Sequence, residues 1–268
     1  MSRKVDNNRL VVMDFSHVYA AQTFYKEAEG FETVWLDVSG IQGTNCYCDE
    51  LAKEELKRRI EGLGPGGVHF LDSGNYHYVS KLWLEQIEEP FDLLVFDHHT
   101  DMQQPMFGDI LSCGGWIKAA LDTNPYLNRV YLAGPPIKAV EESTEGLRPY
   151  GGRLVWISSR DMEDRGIWER LFGKKDDRNT QSPRHPLYIS VDKDVLGEKD
   201  ARTNWDQGET SLETVLDGIR AAHLCRRIIG MDVCGENPEG GEAGERADDA
   251  CINDRTNLLL CCVGKEVL

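Results

Sequence analysis

The chain has 268 residues, of which 40% are hydrophobic and 28% charged, with a formal net charge of −16. That length suits one large α/β domain over residues 1–268 with a substantial core, and the acidic balance argues against nucleic acid, whose phosphates it would repel. No run is long enough to span a membrane and the N-terminus lacks an apolar signal segment, so a cytoplasmic protein with no membrane partner is expected.

Apolar, β-rich runs recur at Leu10–Phe15, Thr33–Asp37, Val68–Leu71, Leu93–Asp97, Val130–Leu132, Leu154–Ile157, Leu187–Val191 and Ile228–Val233. They lack alternation, which predicts strands covered on both faces. Between them, Ala52, Leu56, Ile60 and Leu63 fall at helical spacing, and Ser80–Glu88, Trp116–Leu121 and Asp161–Phe172 read as helices. Thr210-Ser211-Leu212-Glu213 reads as a capping box, with Leu212, Val215, Leu216 and Ile219 as the buried stripe behind it. Gly173–Pro186 and Glu236–Asp249 read as long polar loops, the second bordering a strand end. Strands alternating with helices predict a three-layer α/β/α sandwich around a mostly parallel sheet of about eight strands. Ligands in such sheets bind beyond the carboxyl ends of the strands. The eight cysteines form no paired C-x-x-C knuckles, so reduced thiols, several of them buried, are expected.

Three strand ends carry residues that ligate metals. The run from Phe91 ends in Asp97-x-His99-x-Asp101, and that from Pro186 ends in Asp192-x-Asp194. A third runs from Val68 through the turn Ser73-Gly74-Asn75-Tyr76 to His77. On an extended backbone alternate side chains share a side, so Asp97, His99 and Asp101 are expected to converge. Such a cluster is costly without a positive charge at its centre. Two histidines and four aspartates exceed the needs of one cation and suit a pair of hard or borderline ions such as manganese. His98 lies between ligands and is expected to point the other way.

In this order, Gly74-Asn75-Tyr76-His77, Asp97-His98-His99-Thr100-Asp101 and Ser190-Val191-Asp192-Lys193-Asp194 resemble the motifs of the arginase, agmatinase and formiminoglutamase family, the ureohydrolases. The resemblance spans roughly residues 68–238 and implies an arginase/deacetylase-like fold with two Mn2+ ions, Zn2+ or Fe2+ being alternatives. It implies His77, Asp97, Asp101 and Asp192 as ligands of the first ion. Asp97, His99, Asp192 and Asp194 would hold the second, with Asp97 and Asp192 shared. Asp101 would also act as general base. The implied reaction is hydrolysis of a linear C–N bond in a guanidino, formimino or amide group, carried by a small molecule or a peptide. A zinc-dependent deacetylase of the same fold and a non-catalytic metal-binding relative are the alternatives; His77, Asp101 and Asp194 together favour two metals. A homo-oligomer is allowed.

The chain departs from the family pattern twice. Aligned on Asn237-Pro238, Gly235 stands where arginases carry the Glu that holds the guanidinium, and the acid is displaced to Glu236. A one-residue shift turns a strand side chain to the other face, unless a bulge at Gly235 returns Glu236 to the site as a substrate contact. The loop Met102–Trp116 lacks the proton-relay His of arginases. Cys113 is the nearest reactive group there and is taken as a candidate catalytic residue. His17 and Trp205 are further candidates for the rim. Both departures point away from free L-arginine as substrate.

Overall fold

In a computed structural model, residues 7–105, 108–164, 166–172, 184–238 and 243–268 are described. Strand β1 (Arg9–Asp14) sends Leu10 and Val12 into one apolar core and Val11 and Met13 into another, so both its faces are covered. The same division holds for β5 (Phe91–Phe96), with Leu93 and Val95 on one side and Leu94 and Phe96 on the other. The remaining long strands are β2 (Glu32–Asp37), β4 (Val68–Phe70), β7 (Leu127–Gly134), β8 (Leu154–Ser158), β9 (Leu187–Asp192) and β10 (Ile228–Cys234). These eight form one sheet in the order β2-β1-β4-β10-β9-β5-β7-β8, with every pairing parallel. Two further short strands, β3 (Tyr47–Cys48) and β6 (Leu111–Ser112), pair antiparallel outside it.

Helices Glu50–Ile60, Val79–Leu84 and Trp116–Thr123 bury their apolar stripes in the first core. Helices Gly166–Phe172, Leu212–Cys225 and Ala243–Val267 cover the other face. The fold is therefore the expected α/β/α arrangement. After β4 the chain skips two strand positions to lay down β5, and β9 and β10 later fill the gap. The carboxyl ends of β4, β10, β9 and β5 thus stand side by side at a reversal of strand order, where open α/β sheets bind ligands.

Several local expectations change. β2 is an edge strand and is half exposed, so it is not covered on both faces. The expected helix over Asp161–Phe172 is split into Ser159–Met162 and Gly166–Phe172. A reciprocal capping box between Ser158 and Asp161 starts the first piece, and the Asp164 carboxylate accepts from Gly166 N at 2.9 Å in the break. The cap of Leu212–Cys225 is Ser211 rather than Thr210; its hydroxyl accepts from Thr214 N at 3.2 Å. The loop expected over Glu236–Asp249 gives way to helix by Ala243. Of the loop Gly173–Pro186, residues 173–183 lie outside the described residues. No helix among the described residues is long and apolar enough to cross a membrane.

One core residue makes folding sensitive to acid. His69 on β4 is fully buried and stacks on Trp83 at 3.8 Å between ring centroids. Its Nε2–H donates to the Gly66 carbonyl at 3.2 Å, and its Nδ1 pairs with the Tyr188 hydroxyl at 3.0 Å. Burial pushes its pKa down to about 3. Unfolded, the same imidazole takes up a proton below about pH 6.5. The unfolded chain therefore binds more protons between these two values, and stability falls as pH drops through that window. The full effect is on the order of 5 kcal/mol. Denaturant melts of the native chain and His69→Gln from pH 7 to 4 should show a shallower acid loss in the variant; equal slopes would contradict the assignment.

Candidate metal centre

Each of the four central strands delivers a donor. After β4, Asp72 adopts a left-handed φ of 69° and the turn Gly74–Tyr76 brings in His77. Gly74 is required there, because a Cβ would come within 2.9 Å of Trp205 Cδ1 and 3.0 Å of Asp192 Oδ2. β5 ends at Phe96, so Asp97–Asp101 is not extended, and Asp101 has a φ of 47°. A turn of the chain brings Asp97, His99 and Asp101 together, instead of the expected strand alternation. β9 ends in Asp192, whose Oδ1 accepts from Asp194 N at 3.0 Å and caps the turn Lys193–Val195. β10 ends in Cys234, which lies beside Asp192 in the parallel register.

The donors fall into overlapping groups: His77, Asp97 and Asp101; Asp97, His99 and Asp194; and His77, Asp192 and Cys234. Within each, the donor atoms lie within 4.8 Å of one another. His77 Nδ1 stands 3.3 Å from Asp97 Oδ2, 3.2 Å from Asp101 Oδ2 and 3.4 Å from Asp192 Oδ2. His99 Nδ1 stands 2.8 Å from Asp194 Oδ2 and 3.7 Å from Asp97 Oδ1. The outer contacts set the tautomer of His77. Ser190 Oγ donates to Asp232 at 2.6 Å, so it accepts from His77 Nε2–H at 2.9 Å. Nδ1 is thereby left with its lone pair toward the carboxylates, as a ligating imidazole requires. The Trp116 indole donates to Asp101 Oδ2 at 2.6 Å and fixes that carboxylate.

The electrostatics call for cations. Burial, then the charges of Asp101 and Asp194, push Asp97 well above the ordinary carboxylate range. Burial and Asp194 push Asp192 up to about 6. Burial lowers His99, but the hydrogen bond and charge of Asp194, together with the charges of Asp97 and Asp101, raise it to about 10. Asp97 Oδ2 is buried without a hydrogen-bond partner. An orphaned, buried carboxylate oxygen facing an imidazole lone pair is a position a divalent ion satisfies. The nitrogen and oxygen donors around Asp97 and Asp192 suit two such ions.

The arginase family model matches residues 41–260. The chain belongs to the arginase family. An uncharacterized protein of Thermotoga maritima is 31% identical over 227 residues, covering 84% of this chain and 78% of the relative. Among solved structures, formimidoylglutamase from Bacillus subtilis superposes with a TM-score of 0.67 at 13% identity, covering 99% of this chain and 89% of that one. Trypanosoma cruzi formiminoglutamase with Mn2+ superposes with a TM-score of 0.65 at 14% identity, covering 98% and 95%. These two likenesses carry the arginase fold.

The six expected ligands, His77, Asp97, His99, Asp101, Asp192 and Asp194, are brought together as described. Among the described residues the structure adds Cys234, whose Sγ lies 3.1 Å from Asp192 Oδ2. Its signal was its place at the end of an apolar strand, masked because arginase-family motifs assign no ligand there. His98 stands outside the donor groups, against Gly208, where a Cβ would meet its Nδ1 at 3.1 Å. Trp205 lies at the mouth of the site, 40% exposed, with its indole donating to Asn75 Oδ1 at 2.8 Å and its ring 5.7 Å from His99.

Three other candidates have different surroundings. Glu236 is fully buried and does not return to the site through a bulge. Its carboxylate pairs with the Lys193 ammonium and accepts from Asn257 at 2.7 Å, Gln22 at 2.8 Å and Asn253 at 3.0 Å. These donors saturate the carboxylate, which weighs against Glu236 as a substrate contact and favours a structural acid. Cys113 is buried, and its thiol is hydrogen-bonded to Cys46, which with burial and the Asp101 charge pushes its pKa up. A thiol held protonated is a poor nucleophile, which weighs against a catalytic Cys113. His17 has a left-handed φ of 62° and bonds Asp14 at 3.0 Å with an exposed ring. Removing one partner of a buried ion pair typically costs about 3–5 kcal/mol. Glu236→Ala should therefore lose stability of that order in denaturant melts, by stranding Lys193; a variant with native stability and a raised KM would restore the substrate-contact role.

Proposed function

We propose that the protein is a two-metal hydrolase, using manganese as in the family or zinc or ferrous iron in its place, that cleaves a linear C–N bond in a guanidino, formimino or amide group. The observation that carries this reading is the Asp97 carboxylate, whose two oxygens face the ligating nitrogens of two different histidines, His77 and His99. That is the placement of a carboxylate shared by two ions.

When bound, such ions supply Lewis acidity and lower the pKa of a water toward neutrality. Asp97, and by resemblance to the family Asp192, would be shared between the two ions, and Ser190 and Asp232 keep His77 in its ligating tautomer. Asp101, held by the Trp116 indole, accepts the proton of the attacking water and returns it to the leaving nitrogen. Trp205 stands at the mouth beside the partly exposed His99, so the scissile group would enter on that side. Gly235 offers the substrate no acid, so guanidinium recognition of the arginase type is not part of this site.

The test is turnover of a panel of guanidino, formimino and amide compounds by metal-free and manganese-loaded protein, reading urea, formamide or ammonia. Metal-dependent turnover of one class, abolished by chelator and restored by manganese, is expected. No turnover of any class by protein shown to carry two ions would favour the non-catalytic metal-binding relative.

A further inference from the structure

Cys234 belongs to the donor cluster, yet the three sequence motifs do not include it. It ends β10 almost fully buried, at 1% exposure, and pairs in register with Asp192. Its Sγ lies 3.1 Å from Asp192 Oδ2, the same oxygen that stands 3.4 Å from His77 Nδ1. The next residues leave the cluster. Gly235 takes a φ of 96°, both Gly235 N and Glu236 N donate to the Asp72 carbonyl, and Glu236 turns to Lys193. A second observation points to a cation on the same imidazole nitrogen: Asp97 Oδ2, 3.3 Å from His77 Nδ1, is buried and unpartnered.

We propose that Cys234 is a thiolate ligand of the first metal position, beside His77 and Asp192, and that this position takes a softer divalent ion, zinc or ferrous iron, in preference to manganese. The proposal rests on the two-metal reading above. Thiolate donors favour zinc and iron, whereas carboxylate and water ligands suit manganese. The second donor group, Asp97, His99 and Asp194, has nitrogen and oxygen donors only. The pair is therefore asymmetric, with a softer ion at the Cys234 end. On binding, the sulfur–metal bond forms, the S–H bond breaks and its proton leaves to solvent, with no change of oxidation state.

The probe is cobalt(II) added to metal-free protein, read by absorption and by elemental analysis. The native chain should show a thiolate-to-cobalt charge-transfer band in the near ultraviolet. Cys234→Ser should lose it and Cys113→Ser should keep it. In competition, the zinc-over-manganese preference of the first position should fall at least about tenfold in Cys234→Ser. Should that variant fail to fold, X-ray absorption of the zinc-loaded native chain decides, since a sulfur neighbour at about 2.3 Å is then required. Two bound cobalt ions with neither the band nor a sulfur neighbour would overturn the proposal and leave the two-metal reading standing; the thiol would then only donate to Asp192. A band lost in Cys113→Ser and kept in Cys234→Ser would also overturn it. No cobalt uptake at all would overturn both.

Discussion

Asp97→Ala is expected to empty both metal positions and to abolish turnover. Asp97 is shared between the His77 and His99 donor groups, so its removal takes a ligand from each. Disturbing even the outer contacts of a metal ligand costs about 10–100-fold in affinity. Loss of a shared ligand should cost more at both positions together. The chemical step would then lose several kcal/mol of transition-state stabilisation, or roughly three decades or more in rate. The metal-free protein should behave differently. There Asp97 is a buried carboxylate crowded by Asp101 and Asp194, so its removal should not lower stability. The native chain gains stability from added metal by mass action, and the variant should not. Asp194→Ala is the contrast: it touches the His99 group alone and should weaken mainly one position. Elemental analysis and melts with and without metal check this. Two retained ions in Asp97→Ala would refute the shared role.

Free L-arginine is expected to be a poor substrate. Gly235 occupies the clamp position with a φ of 96°, and a Cβ there would lie 2.6 Å from Asp192 Oδ1. Glu236, one residue on, is saturated by Lys193, Gln22, Asn253 and Asn257. The loop from Met102 to Trp116 contains no His. Losing a buried charge-assisted contact typically costs ~2–5 kcal/mol, or roughly two to three decades or more in rate. Gly235→Glu should not repair the clamp, since its Cβ displaces a metal ligand; lower metal content is the expected result. Urea release with manganese tests the substrate claim. Turnover of L-arginine at about 10 per second or faster would show that another group holds the guanidinium.

The sheet and six of the seven clustered donor residues were legible because their signals are local. An apolar run ending in Asp-x-His-x-Asp marks both the strand and the site. The means of convergence was not legible: a left-handed φ at Asp101 replaces the strand alternation that the spacing suggested. The fate of Glu236 depends on Lys193, which lies between Asp192 and Asp194 in sequence yet points to Glu236, and on Asn253 and Asn257 of the last helix. That helix carries no clear signal in the sequence because Asn253, Thr256 and Asn257 are buried in it, so its inward stripe is partly polar and lacks an apolar period. Cys234 escaped because a lone cysteine at a strand end carries no spacing signal. Its role appears only once β10 is seen to pair with β9.

The central claim is a pair of metal ions held between the ends of four strands, and metal content tests it most directly. Protein stripped by chelator, reloaded with divalent metal and freed of excess should carry about two ions per chain, with Asp97→Ala carrying essentially none. One tightly held ion per chain, with no second taken up at any loading and the same content in Asp97→Ala, would contradict it.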